Sequence, residues 1–165
     1  VSILLQKKYD CEIRFYTHIS FEKPRKGLFV FNIMHTFTKS NQHLSIGSRG
    51  EKAAQKYIRK CGYKILAANF TNTSGRRLGE IDIIAKDGEE IVFIEVKTRN
   101  ILSPGSCLPE ENITHSKLYK LNKIASYYIS YNKLHSVNYR FDAITLNANL
   151  QSNTANLKHI KNIFI

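Results

Sequence analysis

Glu80, Asp82, Glu95 and Lys97 put three carboxylates and an ammonium group into one short stretch, GEIDIIAKDGEEIVFIEVK, residues 79–97. Two alternating, β-branched runs flank Asp87-Gly88, which predicts a β-hairpin. Side chains alternate faces along a strand, so Glu80 shares a face with Asp82, and Glu95 with Lys97. A connection at Gly88-Glu89, or over Asp87 to Glu90, sets Asp82 opposite Glu95 and Glu80 opposite Lys97. A turn centred on Asp87-Gly88 slips the register by two and leaves the four on one face, diagonally related. Carboxylates facing one another repel, and Lys97 offsets only part of that charge. A hard divalent cation such as Mg²⁺ suits the remainder, because it takes carboxylate oxygens and keeps waters for a phosphate substrate. A neighbouring lysine then orients or deprotonates the attacking water, or stabilises charge developing on the phosphate. The competing reading is a solvated hairpin face carrying cross-strand ion pairs.

The elements that must position these groups follow from hydrophobic period. From Ser48 to about Lys60 the stripe Ala53, Ala54, Tyr57, Ile58 and Cys61 predicts a helix that Gly62 stops. Ser48-Arg49-Gly50-Glu51 has the capping-box pattern. Glu51 also leads the face of Ala54 and Ile58, so it serves either as cap or as a group turned inward. Tyr63 to Phe70 reads as a first strand, followed by the turn-rich loop TNTSGRRL. Arg76 and Arg77 in that loop are placed to grip phosphates, or form an ordinary solvated basic loop. Beyond a loop with Pro104, Gly105 and Pro109, a second helix is expected from about Thr114 to Tyr131. Leu121, Ile124, Ala125 and Tyr128 form its apolar stripe, and Lys117 sits one turn earlier on the same face. Packing at the helix edge accounts for such a lysine as readily as a site does. Val137 to Leu146 is a further strand holding Arg140-Phe141-Asp142, a pair of charges read as structural. Residues 147–156 form an Asn-rich turn region, and LKHIKNIFI closes the chain as a strand or extended segment. This order predicts α/β: a mixed β-sheet flanked by helices, with the strands joined through the long helix parallel.

Asp82 followed by Glu95-Val96-Lys97 after a tight turn resembles the PD-(D/E)xK nuclease motif, with Ile81 in place of the proline. More closely, GEIDIIAKDGEEIVFIEVKTR is similar to the UPF0102 family, also called the YraN family, over about residues 46–165. The helix ITHSKLYKLNKIASYYI, the RFD at 140–142 and the closing segment match that family as well. The resemblance implies a restriction-endonuclease-like core and a metal-dependent endonuclease using Mg²⁺ or Mn²⁺. It implies Asp82, Glu95, the Val96 carbonyl and Glu51 as metal ligands. Lys97 then positions the water, Glu80 orients Lys97 or reaches a second metal, and Lys117 is a helix-borne polar group at the site. Arg49, Arg76, Arg77, Arg99 and Lys120 are the expected nucleic-acid contacts. The substrate implied is DNA rather than RNA, branched or otherwise structured, and a homodimer is a common arrangement for cutting both strands.

Composition bounds these readings. The chain has 165 residues, a net charge of +12 and 42% hydrophobic residues, with a mean hydropathy of −0.31 and a pI near 9.7. Such an excess favours a polyanionic partner. Cys11, Cys61 and Cys107 are scattered and odd in number, which points to a reducing cytoplasm and away from disulfides or a zinc site. No run approaches the roughly 18–20 apolar residues of a membrane span. Residues 1–42 mix apolar and basic groups without sustained period and read as an N-terminal extension to a domain at 43–165. Met34 is the only methionine, so translation is expected to start there; peptides from residues 1–33 in the native protein would refute that. Besides a nuclease, a non-catalytic nucleic-acid module or an adaptor in DNA repair or uptake fits. A basic protein on an anionic membrane fits least, for want of an amphipathic basic helix.

Overall fold

The structure, a computed structural model, describes residues 19–21, 30–36, 44–73, 75–102 and 115–163. In chain order these form β1 (Ile19–Phe21), β2 (Val30–Thr36), α1 (Ile46–Lys60), β3 (Lys64–Phe70) and β4 (Ile81–Asp87). They continue with β5 (Glu90–Asn100), α2 (His115–Tyr131), β6 (Tyr139–Asn149) and β7 (Thr154–Ile160). One seven-stranded sheet has the order β1-β2-β7-β6-β5-β4-β3. The β5–β6 pair is parallel and the others are antiparallel. α2 supplies the crossover that a parallel pair requires. The fold is α/β, a mixed sheet with helices packed on it, and is consistent with a restriction-endonuclease-like core.

The hairpin at the centre of the sequence forms in the first of the two registers the sequence allows, running from Asp87–Glu90 to Ile83–Ile94. Gly88, at φ 62°, takes the first position of its two-residue turn, where a type II′ hairpin turn requires positive φ. The two faces of β4 and β5 enter different cores. Ile83, Ala85, Val92, Ile94 and Val96 pack with Ala54, Tyr57 and Ile58 of α1. Ile84, Ile91 and Phe93 pack with Leu121, Ile124, Ala125 and Tyr128, the stripe expected on α2. Both faces being covered explains why the hairpin reads as nearly continuous apolar runs. Each fully buried isoleucine contributes roughly 1.5–3 kcal/mol relative to exposure.

Three expectations change. α1 begins at Ile46, with Ser45 as N-cap accepting from the Ser48 N–H at 3.2 Å. The Ser48–Glu51 capping box therefore does not form; the true cap lies one turn earlier, and Glu51 is released for other contacts. The Asn-rich turn is shorter than expected. β6 continues to Asn149 and β7 starts at Thr154, with the Asn149 side chain accepting from the Gln151 and Ser152 N–H groups. Residues 19–21 and 30–36, from the stretch without period, are strands extending the sheet beyond β7. Their pairing is made by backbone groups, which side-chain periodicity does not report. Met34 lies inside β2, opposite Asn156; the remainder of 1–43 lies outside the described residues.

Candidate active site

The site grows from the place where the hairpin stops being a ladder. In a regular antiparallel pair the next hydrogen-bonded partners after Ile83–Ile94 are Ile81 and Val96. Instead the Val96 N–H donates to Asp82 Oδ2 at 2.6 Å. A carboxylate thus replaces a backbone acceptor, and β4 and β5 part at the position that sequence reading gave to Asp82 and Glu95. Beyond this fork β5 continues against β6 alone, with Val96, Lys97 and Thr98 paired to Ile144, Thr145 and Leu146.

Burial first, and then the charge of Glu95, pushes the Asp82 carboxyl up to about 7 from its ordinary 3.8, against the Val96 N–H and Lys97, which favour the ionised form. Glu51 adds to the upward push, so its charge reaches the site from α1. Asn69 holds Glu51 in place: its Nδ2 donates to Glu51 Oε2 at 3.0 Å. Asn69 does so from β3 in a left-handed backbone conformation, φ 52°, which asparagine tolerates better than most residues. Lys97 pairs with Glu95, both half-buried. Glu80 is not the partner of Lys97; it precedes β4 and pairs with Arg77 at 2.9 Å, on the solvent side. The expected Glu80–Lys97 pairing fails because the strands separate before reaching it.

α1 meets β5 closely at the site. A Cβ placed on Gly50 would fall 1.7 Å from Thr98 Oγ1, so only glycine allows the helix this near. Gly50 and Thr98 adjoin Glu51 and Lys97 in sequence, and their contact fixes the distance between the two functional elements. Neither Asn69 nor the Gly50–Thr98 contact was singled out from sequence. Among the other expected residues, Arg49 is buried and donates to Asn153 Oδ1 at 2.6 Å, so its guanidinium is a tie to the β6–β7 turn rather than a solvent-facing phosphate grip. Arg76 is exposed and Arg99 half-buried. Lys120 is exposed on α2, where its backbone carbonyl approaches Gly79. Lys117 lies in the first turn of α2, with its side chain outside the described residues.

Asp82 makes stability depend on pH in a direction that can be checked. Its folded pKa is raised, so its contribution is complete below about 4 and is lost as pH rises through about 7. Asp82→Asn removes that titration. In metal-free buffer the variant's melting temperature, relative to wild type, should climb by a few degrees between pH 5 and pH 8. A difference independent of pH would show that Asp82 is not held protonated.

The family model for Uncharacterised protein family UPF0102 matches residues 50–146, which contain the fork, Glu51 and most of α1. The chain belongs to the UPF0102 family. It is 48% identical over 120 residues to a UPF0102 protein of Clostridium botulinum (strain Hall), covering 72% of this chain and 93% of that one. A UPF0102 protein of Caldicellulosiruptor saccharolyticus is 40% identical over 119 residues, covering 72% and 96%. One from Clostridium kluyveri is 40% identical over 131 residues, covering 79% and 98%. No helix among the described residues is long and apolar enough to cross a membrane.

Proposed function

We propose that this UPF0102 protein is a metal-dependent endonuclease of the PD-(D/E)xK type acting on DNA in the cytoplasm. The observation that carries the reading is the fork itself, which sets a half-buried Asp82 under the charge of Glu95, with Lys97 beside them. Among the described residues no three His, Cys, Asp or Glu side chains cluster to cage a metal. The donor set proposed is accordingly sparse: Asp82, Glu95 and the Val96 carbonyl, with Glu51 in support. That set fits Mg²⁺, which is commonly held by one or two carboxylates together with waters and substrate phosphates. When bound there, Mg²⁺ or Mn²⁺ would polarise the phosphoryl oxygen and lower the pKa of water. Asp82 must give up its proton to act as a donor, so binding strengthens as pH rises through neutrality.

Lys97 is the residue proposed to orient the attacking water and to offset charge gathering on the phosphate. Its ion pair with Glu95 limits its rotamers and keeps the ammonium at the site before substrate arrives. Glu80, paired with Arg77, is left to act on the approach to the site. The basic excess supports a nucleic-acid substrate, and Arg76, Arg99 and Lys120 are candidates for backbone contacts that position the strand without reading sequence. Cutting both strands of a duplex would call for two copies.

Labelled junction, flap, duplex, single-stranded DNA and RNA, each with Mg²⁺ or Mn²⁺ and with chelator, test the reading. Metal-dependent cleavage of at least one DNA is expected, and the preferred substrate names the class. Salt-sensitive binding with no cleavage of any of them would instead make the protein a nucleic-acid-binding module or adaptor.

A further inference from the structure

We infer that the exposed face of α2 is a binding track for single-stranded nucleic acid, on which unpaired bases stack on tyrosines between lysines. Tyr119, Lys123, Tyr127 and Tyr131 recur every fourth residue and so lie along one ridge of the helix. Their ends are about 18 Å apart, the reach of several nucleotides of an extended strand. Tyr119 and Tyr131 are 61% and 67% exposed, so the outer faces of both rings meet solvent. Lys123 Nζ sits 4.4 Å from the centre of the Tyr119 ring, and the Tyr127 and Tyr131 rings stack at 5.9 Å and 16°. Two exposed rings at the ends of the ridge, a half-buried Tyr127 stacked on one of them and the Lys123 ammonium between match the alternation of aromatic and cationic groups that single-strand binding uses.

Charge selects a polyanion over an apolar protein partner. α2 carries Lys117, Lys120 and Lys123 and no acidic residue in HSKLYKLNKIASYYISY, within a chain of net charge +12. Its position selects a strand leading to the fork. A Cβ on Gly79 would lie 3.7 Å from the Lys120 carbonyl oxygen, so α2 abuts the chain three residues ahead of Asp82. Further along, Tyr127 reaches the β3–β4 loop through Thr73, at 3.3 Å, and the end of β3 through Phe70, at 6.4 Å between ring centres. The ridge therefore borders the Arg76-Arg77 loop and ends beside the candidate site. The inference deepens the nuclease reading and rests on it for the destination of the strand, but binding is measured without cleavage.

The test uses the full chain in chelator with a fluorescein-labelled 20-nucleotide oligo-dT, an oligo-rU, a 20-base-pair duplex and an abasic strand of equal length. The single strands with bases should bind more tightly than the abasic strand. Tyr119→Ala with Tyr131→Ala should weaken oligo-dT binding by at least tenfold and abasic or duplex binding by less than threefold. The matching pair of Tyr→Phe changes should restore it, and unchanged melting temperatures exclude a folding defect. Equal loss on the abasic strand, or a loss under threefold on oligo-dT, would overturn the proposal. So would a wild-type dimer that the alanine pair dissociates, because the ridge would then join two copies. Oligo-dT against oligo-rU decides DNA or RNA. Absence of cleavage with binding intact would defeat the nuclease reading and leave the track standing.

Discussion

Arg140→Ala should cost about 3 kcal/mol of folding stability, chiefly because it takes the guanidinium from the fully buried Asp142, while Asp87 and Glu90 are a third exposed. For a chain of this length that lowers the melting temperature by on the order of 10 °C. Arg140 Nη2 bonds Asp87 Oδ2 at 2.9 Å and Tyr63 Oη at 2.9 Å, and its Nε bonds Asp142 Oδ1 at 3.1 Å; it also pairs with Glu90. Asp142 and His159 behind it are fully buried. Burial works against ionised Asp142, yet His159, Arg140 and the Asn162 N–H together hold its carboxyl below the usual range. Burial lowers the His159 pKa, so the ring is neutral at pH 7, consistent with Nε2–H donating to Asp142 at 3.0 Å and Nδ1 accepting from Tyr57 at 3.3 Å. Without Arg140 the turn carboxylates Asp87 and Glu90 would lose their shared guanidinium and keep only the weaker influence of Lys161 on Asp87. Asp142 contributes stability above its unfolded pKa and loses it as pH falls through the lower folded value. The gap between wild type and Arg140→Ala should therefore narrow below about pH 4. Arg140→Lys should recover little, since an ammonium cannot span several carboxylates in a fork. Denaturant melts check this, and a loss below 1 kcal/mol at pH 7 would contradict it.

Gly50→Ala should be destabilising and Gly47→Ala stabilising, although both sit in α1. Alanine in a helix interior ordinarily gains roughly 0.5–1 kcal/mol over glycine. At Gly47, the second residue of α1, the new Cβ meets only Ser45 Oγ, at 3.9 Å, so part of that gain should appear. At Gly50 it would strike Thr98 Oγ1 at 1.7 Å, Cβ at 2.8 Å and Cγ2 at 3.0 Å. No rotation of Thr98 clears all three, so α1 must move away from β5, at a cost of about 2 kcal/mol or more. The shift separates Glu51 from Lys97, and metal-dependent cleavage should fall with it. Thr98→Ala relieves only part of the collision and should restore only part of the stability. Equal melting temperatures for the two alanine variants would contradict the close approach.

The hairpin was legible in the sequence because its β-branched apolar runs and the Asp87-Gly88 turn signal agree, while the turn position left two registers open, of which the chain takes the one with Gly88-Glu89 at the turn. The stripe Leu121, Ile124, Ala125 and Tyr128 was legible for the same reason, a period matched to a buried face. The site was less so. Sequence spacing sets Glu80 opposite Lys97 only while the ladder lasts, and the Asp82 carboxylate ends it by taking the Val96 N–H. Ser48 and Glu51 have capping-box spacing, but Ser45 captures the helix start. Asn69 and the Gly50–Thr98 contact depend on chain segments meeting across the fold, which no local pattern encodes. The strands at 19–21 and 30–36 pair through backbone groups, whose partners on β7 are distant in sequence.

The central claim is that the fork of Asp82, Glu95 and Lys97 cleaves phosphodiester bonds. The direct measurement is the single-turnover rate on the best DNA substrate with Mn²⁺, for wild type, Lys97→Ala and Asp82→Asn at equal excess of enzyme. The account predicts a metal-dependent rate that falls at least a hundredfold in both variants, with both still folded and still binding the strand. Cleavage that persists undiminished in Lys97→Ala and Asp82→Asn, or an equal rate in chelator, would contradict it.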